Sequence, residues 1–362
     1  MKLPLINHVF SVFLTLNMMI TSIVSAQGLD DLKIPIEPLI LKTQGSFYMG
    51  GEAVEQSFNE LGSFGPGSTI MVNQMYVEYM LPAVKETKLP VVMIHGMALT
   101  GKTWETTPDG RMGWDEYFVR NGHPVYVVDQ VARGRSGFNQ ALSNNVGAEK
   151  LPPKALKPAR CFADEFVWPN FRMGLKKNEP FEVSLFPITH MDELAKQGVP
   201  DLSYSLPDYS DTHQALSDLA IGLNKTLLIS HSQSGFFPMQ AALINPEGIA
   251  GIVSLEPGGC PVDLDELQLK TLSEIHILFI FGDYLETPTG ISHSWQKACE
   301  QCETFTIQVN ALGGTAKLVR LADEGINGNS HIPMQDLNHF EIVDRTMEWV
   351  NNINYDQLND QQ

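Results

Sequence analysis

Positive charge, cysteine and long apolar runs are all scarce in this chain. Its 362 residues hold 24 Lys and Arg against 42 Asp and Glu, for a formal net charge of −18. An acidic surface repels phosphate backbones, and no basic run stands out, so nucleic acid is not an expected partner. Solubility is the plainer reading of the charge. Internal repeats and low-complexity stretches are missing, and so are Walker spacing and its lysine, which removes a phosphate loop. The only cysteines are Cys161, Cys260, Cys299 and Cys302. Cys299-Glu-Gln-Cys302 has redox spacing, but it lies in a helix-like stretch without a thioredoxin setting. Two spaced cysteines with no second pair and no nearby His make a poor zinc site. Structural roles remain, and three disulfide pairings are open.

One apolar stretch does occur, at the start. Lys2 precedes an apolar run from Val9 to Val24, interrupted by Asn17, and Val24-Ser25-Ala26 follows with small residues. This reads as an export signal over residues 1–26, cut before Gln27. The run is short for a spanning helix and carries polar breaks, so an uncleaved anchor is the weaker alternative. No Cys follows it, so a lipoprotein anchor is not indicated. A periplasmic or secreted protein without a stable membrane anchor is expected, in an oxidising compartment where disulfides persist.

The rest is long enough to bury a large core, and at 43% hydrophobic residues it is not a disordered chain. Gly45–Gly51 and Thr69–Met80 read as an early antiparallel pair. Val91–Ile94, Val125–Val128, Thr226–Ile229 and Ile249–Leu255 read as buried parallel strands, continued by Ile277–Phe281 and Ala316–Leu321. Helix-like segments lie between them: Trp114–Arg120, His213–Leu223, Phe236–Ile244, Ser292–Asn310 and Met334–Val350. The alternation predicts an α/β fold with about eight strands, mostly parallel, and helices on both faces. Ala141–Asp211 breaks the rhythm: 71 residues with eight prolines, seven aromatics from Phe162 to Tyr204, and no clear strand. So long a plain loop is unusual in a compact domain. A lid or cap over 141–211 is expected, inserted in a core made of 27–140 and 212–362. A structural insertion away from any site is the alternative.

The segment Thr226-Leu-Leu-Ile-Ser-His-Ser-Gln-Ser-Gly235 carries the chemistry. A buried strand enters a tight turn at Ser232, and a helix-like stretch leaves it, as in a nucleophile elbow. The usual G-x-S-x-G pattern has Ser230 and Ser234 at its glycine positions, which keeps them small. Ser234 as nucleophile would put Phe236 where a small residue is needed. Pro90–Met97 is a buried strand ending in His95-Gly96. The loop after it and the residue after the nucleophile supply oxyanion-hole N–H groups in α/β-hydrolases, here Met97 and Gln233. Asp129–Gly137 reads as a structural turn.

A serine nucleophile needs a base, and the base needs an orienting acid, in the chain order Ser, acid, His. Only His276, His293, His331 and His339 follow Ser232. His276 starts a strand and is expected to be buried. His293 opens a helix. His331 sits in a polar loop after the last strand, where the fold places its base. His339 reads as a partly exposed helix residue. For the acid, Leu285 stands at the commonest position, with Asp283 and Glu286 near but offset. Glu256 ends the preceding strand, on the edge where Ser232 emerges, and is preferred.

The residues also suggest a family. Gly45-Ser-Phe47, Asn73–Tyr76, His95-Gly96, Leu99–Gly101, the long block Thr103–Phe118, Arg133–Ser136, His231–Gly235, Glu256–Gly258 and Gly328–His331 together resemble the bacterial esterase 713 type of α/β-hydrolase. The resemblance spans most of the mature chain. It implies hydrolysis of small-molecule carboxylic esters by Ser232, His331 and Glu256, without metal or organic cofactor. Ser230 and Met97-Ala98 depart from the usual pattern. The same residues acting on lactones or amides is the alternative, and a non-catalytic binding scaffold a weaker one. Oligomeric state is left open, with a homodimer among the options.

Overall fold

The structure is a computed structural model, and it describes residues 31–85, 87–202, 206 and 208–359. The expected export signal over 1–26 and Tyr204 lie outside the described residues. Strands β1 (Leu41–Gln56) and β2 (Ser68–Pro82) form a long antiparallel hairpin. β3 (Val91–Ile94) and β4 (Val125–Asp129) flank helix α1 (Trp114–Arg120). Next come α5 (Ser210–Leu223), which takes in the last two residues of the 141–211 stretch, β7 (Thr226–His231), α6 (Phe237–Ile244), β8 (Ile249–Leu255) and α7 (Glu266–Ser273). β9 (His276–Phe281), α8 (Trp295–Ala311), β10 (Ala316–Arg320) and α9 (His339–Asn359) complete the chain. The eight-stranded sheet has the order β1-β2-β4-β3-β7-β8-β9-β10, parallel from β4 onward. This is the α/β-hydrolase fold.

The sheet builds two cores because neighbouring side chains of a strand point to opposite faces. Val92, Ile94, Leu228, Ile252, Ile277 and Phe279 meet α5 to α8 on one face. Val91, Met93, Leu227, Ile229, Val253 and Leu278 meet α1 and α9 on the other. The Thr103–Phe118 block supplies Trp104, Trp114 and Phe118 to this second core. Gly113 allows its tight packing, since a Cβ there would lie 2.3 Å from two backbone oxygens.

The insertion contains α2 (Ala141–Gly147), α3 (Asp164–Asn170), the small antiparallel pair β5 (Gly174–Lys176) and β6 (Glu179–Pro180), and α4 (Met191–Gln197). The hairpin corrects the expectation of no strand; at three and two residues it is too short to leave a periodic pattern. Val167, Trp168, Met173, Phe186 and Leu194 join the second core. Residues 141–211 thus pack into the second core beside the sheet. A disulfide links Cys260 to Cys302, while Cys161 is exposed and unpaired and Cys299 is buried and unpaired.

Candidate active site

The carboxyl edge of the sheet brings together the residues singled out from sequence. Ser232 follows β7 with φ +59°, in the left-handed region that a non-glycine residue seldom adopts. The turn is braced around it. Ser234 is buried; its Oγ accepts from the His231 N–H at 3.2 Å and lies 3.1 Å from the Ile94 carbonyl. That bonding accounts for Ser234 as a support. Gly235 is required by close approach, because a Cβ would sit 2.4 Å from Pro257 Cβ.

His331 is fully buried, with Nε2 2.8 Å from Ser232 Oγ and Nδ1 3.2 Å from Glu256 Oε2. A carboxylate can only accept here, so these partners assign a tautomer with the proton on Nδ1 and Nε2 accepting from the serine hydroxyl. Burial and then the Arg172 guanidinium hold His331 well below the ordinary histidine range, so its ring rests neutral. Its ring lies against Trp295, with centroids 3.9 Å apart. Glu256 follows β8 with φ +51° and is also fully buried. Its Oε1 accepts from the Gly282 N–H and from Arg172 Nη2.

The rival groups lie elsewhere. Asp283 uses its carboxylate to accept from the N–H groups of Tyr284 at 2.7 Å and Gly328 at 3.1 Å. Glu286 is exposed, and Leu285 is buried. His293 lines the cavity near His331. His276 is half-buried, not buried, with Nδ1 2.7 Å from Thr315 Oγ1. His339 is buried, not partly exposed, because α9 begins with it against the loop below.

That loop is rigidly held. Asp336 accepts from the Ser330 N–H, Ser330 Oγ and Asn329 Nδ2 at 2.7–2.9 Å. Burial pushes its carboxyl up to about 6. Arg111, from the Thr103–Phe118 block, donates to the carbonyls of Gln335 and Asp336. His231 Nε2 lies 2.7 Å from the His331 carbonyl, which can only accept.

Met97 and Gln233 both line the cavity beside Ser232. The Gly96 carbonyl accepts from Arg133 Nη1 at 3.0 Å and lies 2.8 Å from His95 Nδ1. A trans peptide points its N–H opposite its C=O, so these contacts also fix the direction of the Met97 N–H. Arg133 Nη2 reaches Gln233 Oε1 at 3.0 Å, and the same guanidinium forms a buried pair with Asp201 of the insertion. Asp129 accepts from the Gly101 and Arg135 N–H groups, as a structural turn requires. Sequence reasoning met Arg133 and His231 only as members of motifs, without a role, and missed Arg172 and Trp295. Arg172 in particular sits in an irregular stretch with no motif or period to mark it.

The cavity at Ser232 measures about 830 Å³. Phe162, Phe166 and Phe171 of the insertion wall one part, and Phe236, Leu243, Val262 and Leu264 another.

A solved structure of a novel bacterial esterase matches this chain with a TM-score of 0.81 at 42% identity, over 89% of this chain and 99% of that one. A probable secreted lipase, phiG, from a fungal species (strain ATCC 74256), is 23% identical over 322 residues. That match covers 76% of this chain and 85% of the fungal protein. No protein-family model matches. By its likeness to the bacterial enzyme, the chain belongs to the esterase 713-type family of α/β-hydrolases, and with it to the carboxylic ester hydrolases.

Proposed function

We propose that this chain is an exported serine carboxylesterase working through an acyl-enzyme on Ser232. The observation that carries this reading is the unbroken relay from Ser232 Oγ to His331 Nε2 at 2.8 Å, and from His331 Nδ1 to Glu256 Oε2 at 3.2 Å. Neutral His331 takes the serine proton as Oγ attacks the ester carbonyl, and the ring then gives that proton to the leaving alcohol. Glu256 keeps the Nδ1–H tautomer and stabilises the imidazolium as it forms. The N–H groups of Met97 and Gln233 receive the oxyanion. Water, activated by the same imidazole, releases the acid. The apolar, aromatic-walled cavity favours bulky apolar esters over small ones.

The test is a panel of p-nitrophenyl esters of rising acyl length, together with labelling by a fluorophosphonate. Turnover that improves with acyl length, and labelling lost in Ser232→Ala, are expected. Failure on every length with turnover of a lactone or amide would move the same residues to that substrate class. No labelling at all would leave a binding scaffold. For export, the sequence 1–26 and the secreted fungal relative support the reading. Among the described residues no helix is long and apolar enough to cross a membrane. Amino-terminal sequencing of protein recovered outside the cytoplasm should begin at Gln27, and an uncut start at Met1 would overturn cleavage.

A further inference from the structure

The insertion does more than wall the cavity. Its segment Asn170–Arg172 bonds three separate loops of the hydrolase core. Asn170 donates from Nδ2 to the Thr289 carbonyl, and its own carbonyl accepts from Trp295 Nε1, both at 2.8 Å. The Phe171 carbonyl accepts from the His331 N–H at 2.8 Å. Arg172 donates from Nε to the Asp283 carbonyl at 2.6 Å and from Nη2 to Glu256 Oε1 at 2.5 Å.

The side chains of Arg172 and Glu256 are both fully buried. Arg172 also holds a left-handed backbone, φ +56°, as Ser232 and Glu256 do. Strained non-glycine residues persist where the surroundings over-determine them, and they cluster at functional sites. The guanidinium faces the Trp295 ring at 5.6 Å, and Trp295 in turn packs on His331.

The division of labour on Glu256 is the telling feature. Oε1 takes the Gly282 N–H and the arginine, while Oε2 faces His331. Two donors on one oxygen from different directions stop the carboxylate from turning about its terminal bond. A lone buried pair serving stability alone need not point its second oxygen at a catalytic ring.

We propose that Arg172 is a positioning residue, which an insertion outside the sheet contributes to fix the plane of the Glu256 carboxylate and so aim Oε2 at His331 Nδ1. This rests on the reading of Ser232, His331 and Glu256 given above. Arg172 touches no reacting atom and acts through Glu256. The ionisable groups facing the His331 ring are Glu256 from the end of β8, Arg172 from the insertion, His231 from the end of β7 and His293 from the approach to α8. Asp336 lies further along its own loop. Burial holds His231 at about 3 and His293 below its ordinary range. Those two histidines therefore add no charge beside the base near neutral pH.

The experiment compares pH profiles of ester hydrolysis for the full chain, Arg172→Met, Arg172→Lys, Glu256→Gln and the Arg172→Met/Glu256→Gln double variant. Arg172→Met should lower kcat about 10²-fold, the scale of losing one preorganised donor, with KM nearly unchanged. Its acid limb should move to higher pH, because removing a cation makes the imidazolium easier to form. Arg172→Lys keeps the charge but not the fork, so kcat should rise above that of Arg172→Met yet stay about 10-fold below the original, with the acid limb unmoved. In the Glu256→Gln background, loss of Arg172 should cost little more, since its target is already altered.

A folded Arg172→Met protein with the original kcat overturns the proposal. So does a loss that is as large in the Glu256→Gln background as without it. If Arg172→Met fails to fold, Arg172→Lys decides: an unchanged kcat there is equally fatal. Should Glu256→Gln keep full activity, the choice of acid fails first. Should Glu256→Gln cripple the enzyme while Arg172→Met does not, only the positioning role is lost.

Discussion

The hydrolase core and the 141–211 insertion reach the same site by different means. The core presents its groups from strand ends: Ser232 after β7, Glu256 after β8, His331 after β10. Regular strands fix where these residues emerge. The insertion has short elements joined by turns, yet it supplies Arg172 to Glu256, the Phe171 carbonyl to His331 and Asp201 to Arg133. The core thus sets position, and the insertion sets orientation. Fold topology alone accounts for only the first.

The largest predicted effects fall on the core. Ser232→Ala should lower kcat by roughly 10⁶ in an ester assay, as for other serine triads. A loss below about 10²-fold would put the chemistry elsewhere. Glu256→Gln should cost on the order of 10⁴ in kcat, because the base loses the partner that holds its tautomer. Asp283→Asn keeps an acceptor oxygen for the Gly328 N–H, so about 1 kcal/mol of stability is at stake there, and not the reaction. A crippled Asp283→Asn enzyme beside an active Glu256→Gln enzyme would reverse the choice of acid.

The same contrast explains what could be read from sequence. The parallel strands lie within two residues of their expected bounds, because strands buried on both faces are continuous apolar runs. β1 extends well beyond Gly45–Gly51, since most of its residues are exposed and leave no such run. The convergence of Ser232, Glu256 and His331 was legible because each follows a strand that ends at the same edge of the sheet. Met334 was expected in the last helix but lies in a separate turn, Pro333–Gln335, held by Arg111 from a distant segment. Arg172 and Asp201 were not legible at all. Their roles depend on burial against partners 84 and 68 residues away, and no local pattern encodes such a pairing.

Smaller effects probe how firmly the two regions are joined. Asp201→Ala would take the carboxylate away from a fully buried guanidinium, at a cost of roughly 3–5 kcal/mol. A lower urea midpoint with an unchanged slope would register it. No change in midpoint would mean that residues 141–211 sit loosely on the loop after β3. The Cys260–Cys302 bond lies within the core, closing a separation of 42 residues. Replacing both cysteines by alanine should cost roughly 2–4 kcal/mol, through the freedom regained by the unfolded chain. Reducing agent should lower the thermal midpoint of the original protein and leave that of the alanine variant unmoved.

The smallest effect is a shift in pH, and it bears most directly on whether the insertion stays closed in solution. In the proposed mechanism His331 must be neutral to accept the serine proton, so activity should fall as pH drops through the His331 midpoint. Burial and Arg172 both disfavour the imidazolium, which lowers that midpoint below the ordinary value of 6.5. Activity should therefore persist into acid beyond the reach of an ordinary histidine, and the acid limb of kcat/KM should lie below pH 6.5. Both causes depend on the insertion: Phe171 covers the ring, and Arg172 stands beside Glu256. If the insertion swung away from the core, water would reach His331 and the cation would leave together, and the limb would climb back toward the ordinary value. A limb at or above pH 6.5 would describe a site whose second region is open in the working enzyme.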